Sequence, residues 1–256
     1  MYKRVNLLKQ KLERKENVSG CIIQTASASI VEILGMAGFD FVYIDCEHSS
    51  MTIPECENLI RAAELYDITP IIRTAELNSH LILRYLDIGA QGITISGIHT
   101  AEEIRETVRA VKYYPIGMRG LAGTRANEYG MGAMPLKDYT QYLNEQTVIM
   151  ASIETIDSCK NIEEITAVEG LDAVLFGAND LSQDLGYPGQ TNHPEVVAMI
   201  NEALEKGLKS GVAIGSVVRA GETPADYFNK GYTIVQTSVN SLIGKAAKNF
   251  VSSLKE

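Results

Sequence analysis

Glu154 and Asp180 close two similar stretches of the chain, TVIMASIE and AVLFGAND. Each is an apolar, β-branched run that turns polar at its acid, the pattern of a buried strand opening into a loop. An isolated carboxylate taken out of water costs several kcal/mol or more, so two acids at equivalent strand ends call for a common partner. A divalent cation is the simplest one that neutralises both. Two carboxylates completed by water suit Mg2+, Mn2+ or a similar hard ion, which keeps positions open for oxygen donors. A 2-oxo acid would chelate there through its carboxylate and keto oxygen, and the ion would stabilise an enolate as a Lewis acid. DCEH (Asp45 to His48) and Arg73, in PIIRT, end two other such runs. Arg73 offers a fixed fork of donors to negative charge developing on an oxygen. His48, with its imidazole oriented by an acid, suits a general base acting through a bound water or a substrate hydroxyl. Singly, each residue has a plainer reading: Asp180 as a helix cap, His48 as a hydrogen-bonded side chain, Arg73 as the partner of a nearby acid. Whether they act together depends on the elements that carry them.

Strand character recurs eight times: CIIQTA (21–26), FVYID (41–45), PIIR (70–73), GITIS (92–96), VIMASIE (148–154), AVLFG (173–177), VAIGS (212–216) and IVQTS (234–238). Amphipathic segments such as PECENLIRAAELYD, AEEIRETVRAVKYY and HPEVVAMINEALEKGLKSG lie between them. Thr100 before AEE reads as an N-cap with acids in the first turn. Gly38 reads as a helix stop, and Pro54, Pro194 and Pro224 fall at helix starts. Buried-type strands alternating with helices imply a parallel sheet. Eight of them favour closure into an α/β (β/α)8 TIM barrel over a doubly wound open sheet, and no G-x-G-x-x-G follows the first strand. In such a barrel the C-terminal strand ends share one face, which gathers Asp45, Glu47, His48, Arg73, Glu154 and Asp180. The expected organisation is a single barrel domain over 1–256 with a long excursion at about 115–146. That excursion reads as a lid or substrate loop, with a flexible RGLAGTRANEYG segment and a helix over PLKDYTQYLNEQ.

At 256 residues the chain has the length of one barrel. A formal charge of −9 and the lack of a Lys/Arg cluster argue against a nucleic-acid partner. No apolar run approaches a membrane span, and the basic, amphipathic N-terminal segment lacks the apolar core of a signal peptide. The expectation is a soluble cytoplasmic protein. The four cysteines, Cys21, Cys46, Cys56 and Cys159, show no C-x-x-C spacing and read as buried structural thiols, although Cys46 lies inside the candidate site.

Taken together, DFVYIDCEHSS, PIIRT, RYLDIGAQGI, GMRGLAG, SIET, GLDAVLFGANDLSQDLGYPG and NHPEV closely resemble the HpcH/HpaI aldolase family, from about residue 18 to the C-terminus. That family includes class II 2-keto-3-deoxy sugar-acid and 4-hydroxy-2-oxo-heptanedioate aldolases and macrophomate synthase. The resemblance implies a metal-dependent barrel using Mg2+, Mn2+ or Co2+, with its last helix exchanged between subunits of a homohexamer, a trimer of dimers. It implies reversible aldol cleavage yielding pyruvate, or a related 2-oxo acid, and an aldehyde. Carried over by position, His48 resembles the catalytic base, Arg73 the transition-state arginine, and Glu154 and Asp180 the metal ligands. Asp87, in RYLDIG, resembles the acid that raises the histidine's basicity; unaided, it reads as a surface acid at a helix end. Asp45 and Glu47 would support His48 or metal-bound water from behind.

Two departures from the family pattern bear on substrate. Ser152 stands where these aldolases commonly have Gln, and as residue i−2 it shares the strand face of Glu154. The usual G-P-A-D reads G-A-N-D, with Ala178 for Pro and Asn179 adding an amide beside the metal. Ser152, Asn179, Arg73 and Asp180 are therefore the expected substrate-binding residues. The alternative within the superfamily is a carbon–carbon synthase, such as citrate formation from oxaloacetate and acetyl-CoA. A phosphate-binding barrel, suggested by IGSVVRAG and TSVNS, and a non-catalytic scaffold leave Glu154 and Asp180 without a purpose.

Overall fold

The structure, a computed structural model, describes residues 5–254. Its eight strands are β1 (Val18–Ile23), β2 (Phe41–Asp45), β3 (Thr69–Thr74), β4 (Gly92–Ile95), β5 (Val148–Ile153), β6 (Ala173–Phe176), β7 (Ala213–Val217) and β8 (Ile234–Ser238). They pair in parallel in chain order, and β8 closes on β1, so the sheet is a complete barrel. The expected TIM barrel is the observed fold, and the expected strands lie within a few residues of their observed bounds. The largest difference is β1, which begins three residues earlier than CIIQTA because Val18, Ser19 and Gly20 pair with Ile234, Val235 and Gln236 of β8.

Alternation along each strand divides the core in two. Phe41, Tyr43, Ile71, Val148, Met150, Ala173, Leu175 and Ile234 point inward and pack with one another. Val42, Ile44, Ile72, Ile93, Ile95, Ile149, Ile153 and Val174 point outward against the ring of helices. This two-sided burial is why the strands read as continuous apolar runs. Leu8, on the helix Leu7–Glu13, plugs the N-terminal end of the barrel and is fully buried among the inner residues. The inner face changes character along the axis. Phe41 and Ile71 lie low, Tyr43, Thr94 and Ser152 follow, and the same parity brings Asp45, Arg73 and Glu154 to the C-terminal rim.

Helix starts follow the local signals. Thr100 and Glu103 form a reciprocal capping box at the head of Ala101–Val111, and Pro54, Pro194 and Pro224 each sit in a first turn.

The 115–146 excursion corrects an expectation. It joins the end of the helix Ala101–Val111 to the start of β5, so it belongs to the N-terminal end of the barrel, away from the strand ends that carry the chemistry. It cannot act as a lid over its own chain's site. The segment read as flexible contains a 3-10 helix, Arg125–Gly130, tied down by Arg125 to Glu64 and to the Ile88 carbonyl at 2.8 Å. The buried Lys112 ammonium closes its base on the carbonyls of Asn144 and Thr147 at 2.7 and 2.6 Å. A cavity of about 280 Å3 beneath it, lined by Gln91, Tyr139 and Gln146, is likewise remote from the strand C-termini.

The last helix, Val239–Ser253, stands off the barrel. Only Val239 is buried, while Ile243, Phe250 and Val251 are exposed, and a groove of about 960 Å3 runs between this helix and β1, β7 and β8. Among the described residues no helix is long and apolar enough to cross a membrane.

Gly20 shows how tightly the inner core is set. A Cβ there would lie 2.1 Å from Phe41 Cζ, so the ring occupies the space a side chain would need. Gly20→Ala is expected to lower stability by about 1–3 kcal/mol through overpacking, read as a lower urea midpoint at unchanged slope. Parent-like stability would show that the Phe41 ring has room to move.

Candidate active site

The β2–β3 register sets Asp45 directly beside Arg73, both on the inner face at the C-terminal rim. Asp45 is fully buried, and five donors meet its carboxylate. Arg73 Nε donates to Oδ1 at 3.0 Å and Nη2 to Oδ2 at 2.7 Å, a two-pronged pair. Gln24 Nε2 donates to Oδ2 at 2.9 Å, and the backbone N–H groups of Glu47 and His48 donate to Oδ1, both at 3.1 Å. Burial opposes ionisation of Asp45, but the hydrogen bonds and charge of Arg73, with His48 N–H and Gln24, outweigh it and hold the carboxyl below its usual range. Asp45 therefore orients Arg73 and shapes the turn that presents Glu47 and His48. Asn240, in the first turn of the last helix, donates to Gln24 Oε1 at 2.9 Å and extends the network to that helix.

Arg73 keeps N–H groups on both terminal nitrogens beyond the pair with Asp45. Its Nη1 lies 3.1 Å from Glu47 Oε2, which is also 3.8 Å from His48 Nε2. That Glu47 oxygen is buried and ion-paired, yet it accepts no aligned hydrogen bond. The His48 side chain is 55% exposed and faces solvent at the rim.

Glu154 follows β5 and is buried, with Oε1 accepting the Gly97 N–H at 2.9 Å. Gly177, following β6, packs so closely that a Cβ would lie 2.8 Å from Glu154 Oε2. Burial pushes the Glu154 carboxyl up to about 6; the nearby charges of Glu47 and Asp180 add to this, while the Gly97 N–H and Arg73 oppose it. Asp180 occupies the first turn of the helix Ala178–Asp184, and it is exposed, as is Asn179. The premise that both acids are costly to bury thus holds for Glu154 alone. Ser152 is buried on the Glu154 face, as alternation predicts, and with Thr94 it faces the Tyr43 hydroxyl. Tyr43 fills space that a longer side chain at 152 would enter.

Asp87 is not brought to His48. It ends the helix Ser79–Asp87, which runs back from β3 to the N-terminal end of the barrel, and it pairs with Arg119 at 2.8 Å. Gln24, Asn240, Tyr43 and Gly97 were missed from the sequence. Gln24 alone left a signal, as the polar residue inside CIIQTA.

The rim thus holds a buried carboxylate short of positive charge, two more acids near it and one anchored arginine. Glu154 and Asp180 fit a hard divalent ion: one is a desolvated oxygen donor with a raised pKa, the other an accessible carboxylate close enough to add to that rise. Among the described residues no three Asp, Glu, His or Cys side chains form a complete cage, so water or substrate would supply the remaining donors.

The chain resembles known proteins over most of its length. The pattern of the HpcH/HpaI aldolase/citrate lyase family matches residues 19–244. The 2-dehydro-3,6-dideoxy-6-sulfogluconate aldolase of Pseudomonas putida is 34% identical over 244 residues, 94% of this chain and 94% of that protein. The crystal structure of an HpcH/HpaI aldolase from Desulfitobacterium hafniense DCB-2 superimposes with a TM-score of 0.90 at 33% identity, covering 98% of each chain. That of the citrate synthase SbnG gives 0.85 at 31% identity, covering 97% of this chain and 96% of that one.

Glu154→Gln should have opposite effects with and without metal. A carboxyl raised from 4.5 to about 6 imposes no penalty below pH 4.5, a growing one as pH rises through 6, and about 2 kcal/mol above that. In EDTA at pH 7.5 the variant is expected to be more stable than the parent by about that amount, with the advantage fading toward pH 4.5. It should also lose the thermal stabilisation that Mg2+ or Mn2+ confers on the parent. Thermal unfolding across pH with and without metal checks both; a variant less stable in EDTA at pH 7.5 contradicts the account.

Proposed function

The chain belongs to the HpcH/HpaI aldolase/citrate lyase family of carbon–carbon lyases, and on that premise we propose that it cleaves a 4-hydroxy-2-oxo acid, with a divalent metal, into pyruvate or a close 2-oxo acid and an aldehyde. The observation that carries this reading is that one barrel mouth holds both the Asp45-anchored Arg73 and the buried Glu154, whose charge Arg73 feels. Glu154 and Asp180 would hold the ion. When bound, it supplies Lewis acidity that lowers the cost of placing negative charge on the substrate's C2 oxygen.

The chain's own groups account for the rest. His48, exposed at the rim, takes the proton of the C4 hydroxyl, directly or through water. The C3–C4 bond then breaks, the aldehyde departs, and the electron pair moves onto the C2 oxygen as an enolate. Arg73 meets that charge with the N–H groups left free by Asp45 and is pre-oriented, so little reorganisation accompanies the step. Protonation at C3 completes the 2-oxo acid. Ser152, on the strand face of Glu154, and Asn179, next to Asp180 in the chain, would bear on which substituents fit.

Asp87 serves His48 only if it comes from another copy, since its own helix ends at the far side of the barrel. The apolar last helix and the open groove beside it favour exchange of that helix between subunits, within the hexamer the family resemblance implies.

The reading is tested by pyruvate release, coupled to lactate dehydrogenase, over a panel of 4-hydroxy-2-oxo acids. Turnover should vanish in EDTA, return with Mg2+, Mn2+ or Co2+, and fall at least about a hundredfold in Glu154→Gln and Asp180→Asn, as loss of charge stabilisation at the reacting oxygen predicts. Likeness to the citrate synthase SbnG favours a second reading, condensation of oxaloacetate with acetyl-CoA. Thiol release from that pair, with no pyruvate from any aldol, would replace the first. The shared site has its own check. His48→Ala and Asp87→Asn should each be inactive alone, and co-refolded mixtures should regain activity. Mixtures that stay inactive would remove Asp87 from the site.

A further inference from the structure

Two thiols meet directly behind the turn that presents His48. Cys46 Sγ lies 3.4 Å from Cys56 Sγ, within van der Waals contact and without a bond. Cys56 is fully buried on the helix Ile53–Leu65, whereas Cys46 is half-buried in the turn. The Tyr85 hydroxyl lies near Cys46. The contact with Cys56, and the nearby Tyr85, lower the Cys46 pKa, while the same contact and burial raise that of Cys56. Burial and the neighbouring Asp45 oppose the lowering at Cys46, and of the two thiols Cys46, the less buried, is the one that ionises more readily. Cys21 and Cys159 are different: burial pushes each up to about 12, which leaves them inert as nucleophiles.

We propose that Cys46 and Cys56 form a redox-active pair that hydrogen peroxide closes into a reversible disulfide. The Cys46 thiolate attacks one peroxide oxygen, breaking the O–O bond, so the sulfur becomes a sulfenic acid and the other oxygen leaves as water once protonated. Cys56 Sγ then attacks that sulfur and gives up its proton, and the sulfenic oxygen departs as a second water. Two thiols lose two electrons in all, and one peroxide is reduced to two waters.

Bond formation shortens the sulfur–sulfur distance to about 2.05 Å. Cys56 is locked in the helix core, so the movement falls on Cys46. Its neighbours are Asp45, which anchors Arg73, and Glu47, which faces both Arg73 and His48. The Asp45 carboxylate also accepts the backbone N–H groups of Glu47 and His48, so a pull at Cys46 is passed to the whole turn. The disulfide thus displaces the residues on which the proposed reaction depends.

The test uses the full chain treated with a small excess of hydrogen peroxide in the presence of chelator, then alkylated, digested and weighed. A Cys46–Cys56 linked peptide, with Cys21 and Cys159 still alkylated, is expected. Turnover, in whichever of the aldol and citrate-forming assays the reduced chain supports, should fall by roughly tenfold to a hundredfold and return with dithiothreitol. Cys56→Ala should keep its basal turnover but lose activity to peroxide irreversibly, because Cys46 then passes to higher acids with no resolving thiol. Both thiols alkylating freely after peroxide, or a linkage to Cys21 or Cys159, would overturn the pair. A Cys46–Cys56 linkage with undiminished turnover would overturn its effect on the site. Since the linkage is read by mass, its failure is distinct from failure of the aldolase reading.

Discussion

A carboxylate with no exposed surface is tolerated only when its charge is matched and its lone pairs are filled. Asp45 meets that condition with Arg73, Gln24 and two backbone N–H groups, and much of the rim is arranged by doing so. The pair needs β2 and β3 in one register, which aligns both strands. It leaves Arg73 unable to swing away, and it bends the chain after β2 so that Glu47 and His48 face the mouth. Removing either partner would strand a buried charge, so geometry and stability at this point are the same requirement.

The barrel interior is graded along its axis. Leu8 and Phe41 seal the N-terminal end with apolar bulk, Tyr43 stands among hydroxyls midway, and ionic groups occupy the rim. Each added layer of water exclusion below the rim strengthens electrostatics above it. Glu154 records this, since burial is the largest cause of its raised pKa. Asp180, on an exposed helix turn, remains accessible to a cation. One buried and one accessible carboxylate divide the work of binding a cation between affinity and access.

The strands were legible because two-sided burial writes itself as continuous β-branched runs, and FVYID, Phe41–Asp45, matches its strand to the residue. The start of β1 was not, because Ser19 and Gly20 look like loop; Gly20 is there so that the Phe41 ring can fit. Glu154, Arg73 and His48 were recognisable as strand-end polar residues. Asn240 was not, and Gln24 showed only as a polar residue inside CIIQTA, because their meaning comes from a contact between residues 216 positions apart. The role expected of the 115–146 segment failed for a related reason. Length and glycine content marked it as unusual, but only its attachment, from a helix end to a strand start, says which end of the barrel it serves.

By itself the sequence determined the eight-strand alternation, the shared strand face of Ser152 and Glu154, and the acids at the strand ends. These are local properties, since side-chain direction in a strand repeats every two residues. Only the tertiary structure decided that Glu154 is buried while Asp180 is exposed, that Asp45 is the anchor, that Asp87 lies at the opposite end of its own barrel from His48, and that Cys46 touches Cys56. Those outcomes rest on closure of β8 against β1 and on the packing of helices around the ring, which bring together residues whose spacing in the chain holds no record of their distance in space.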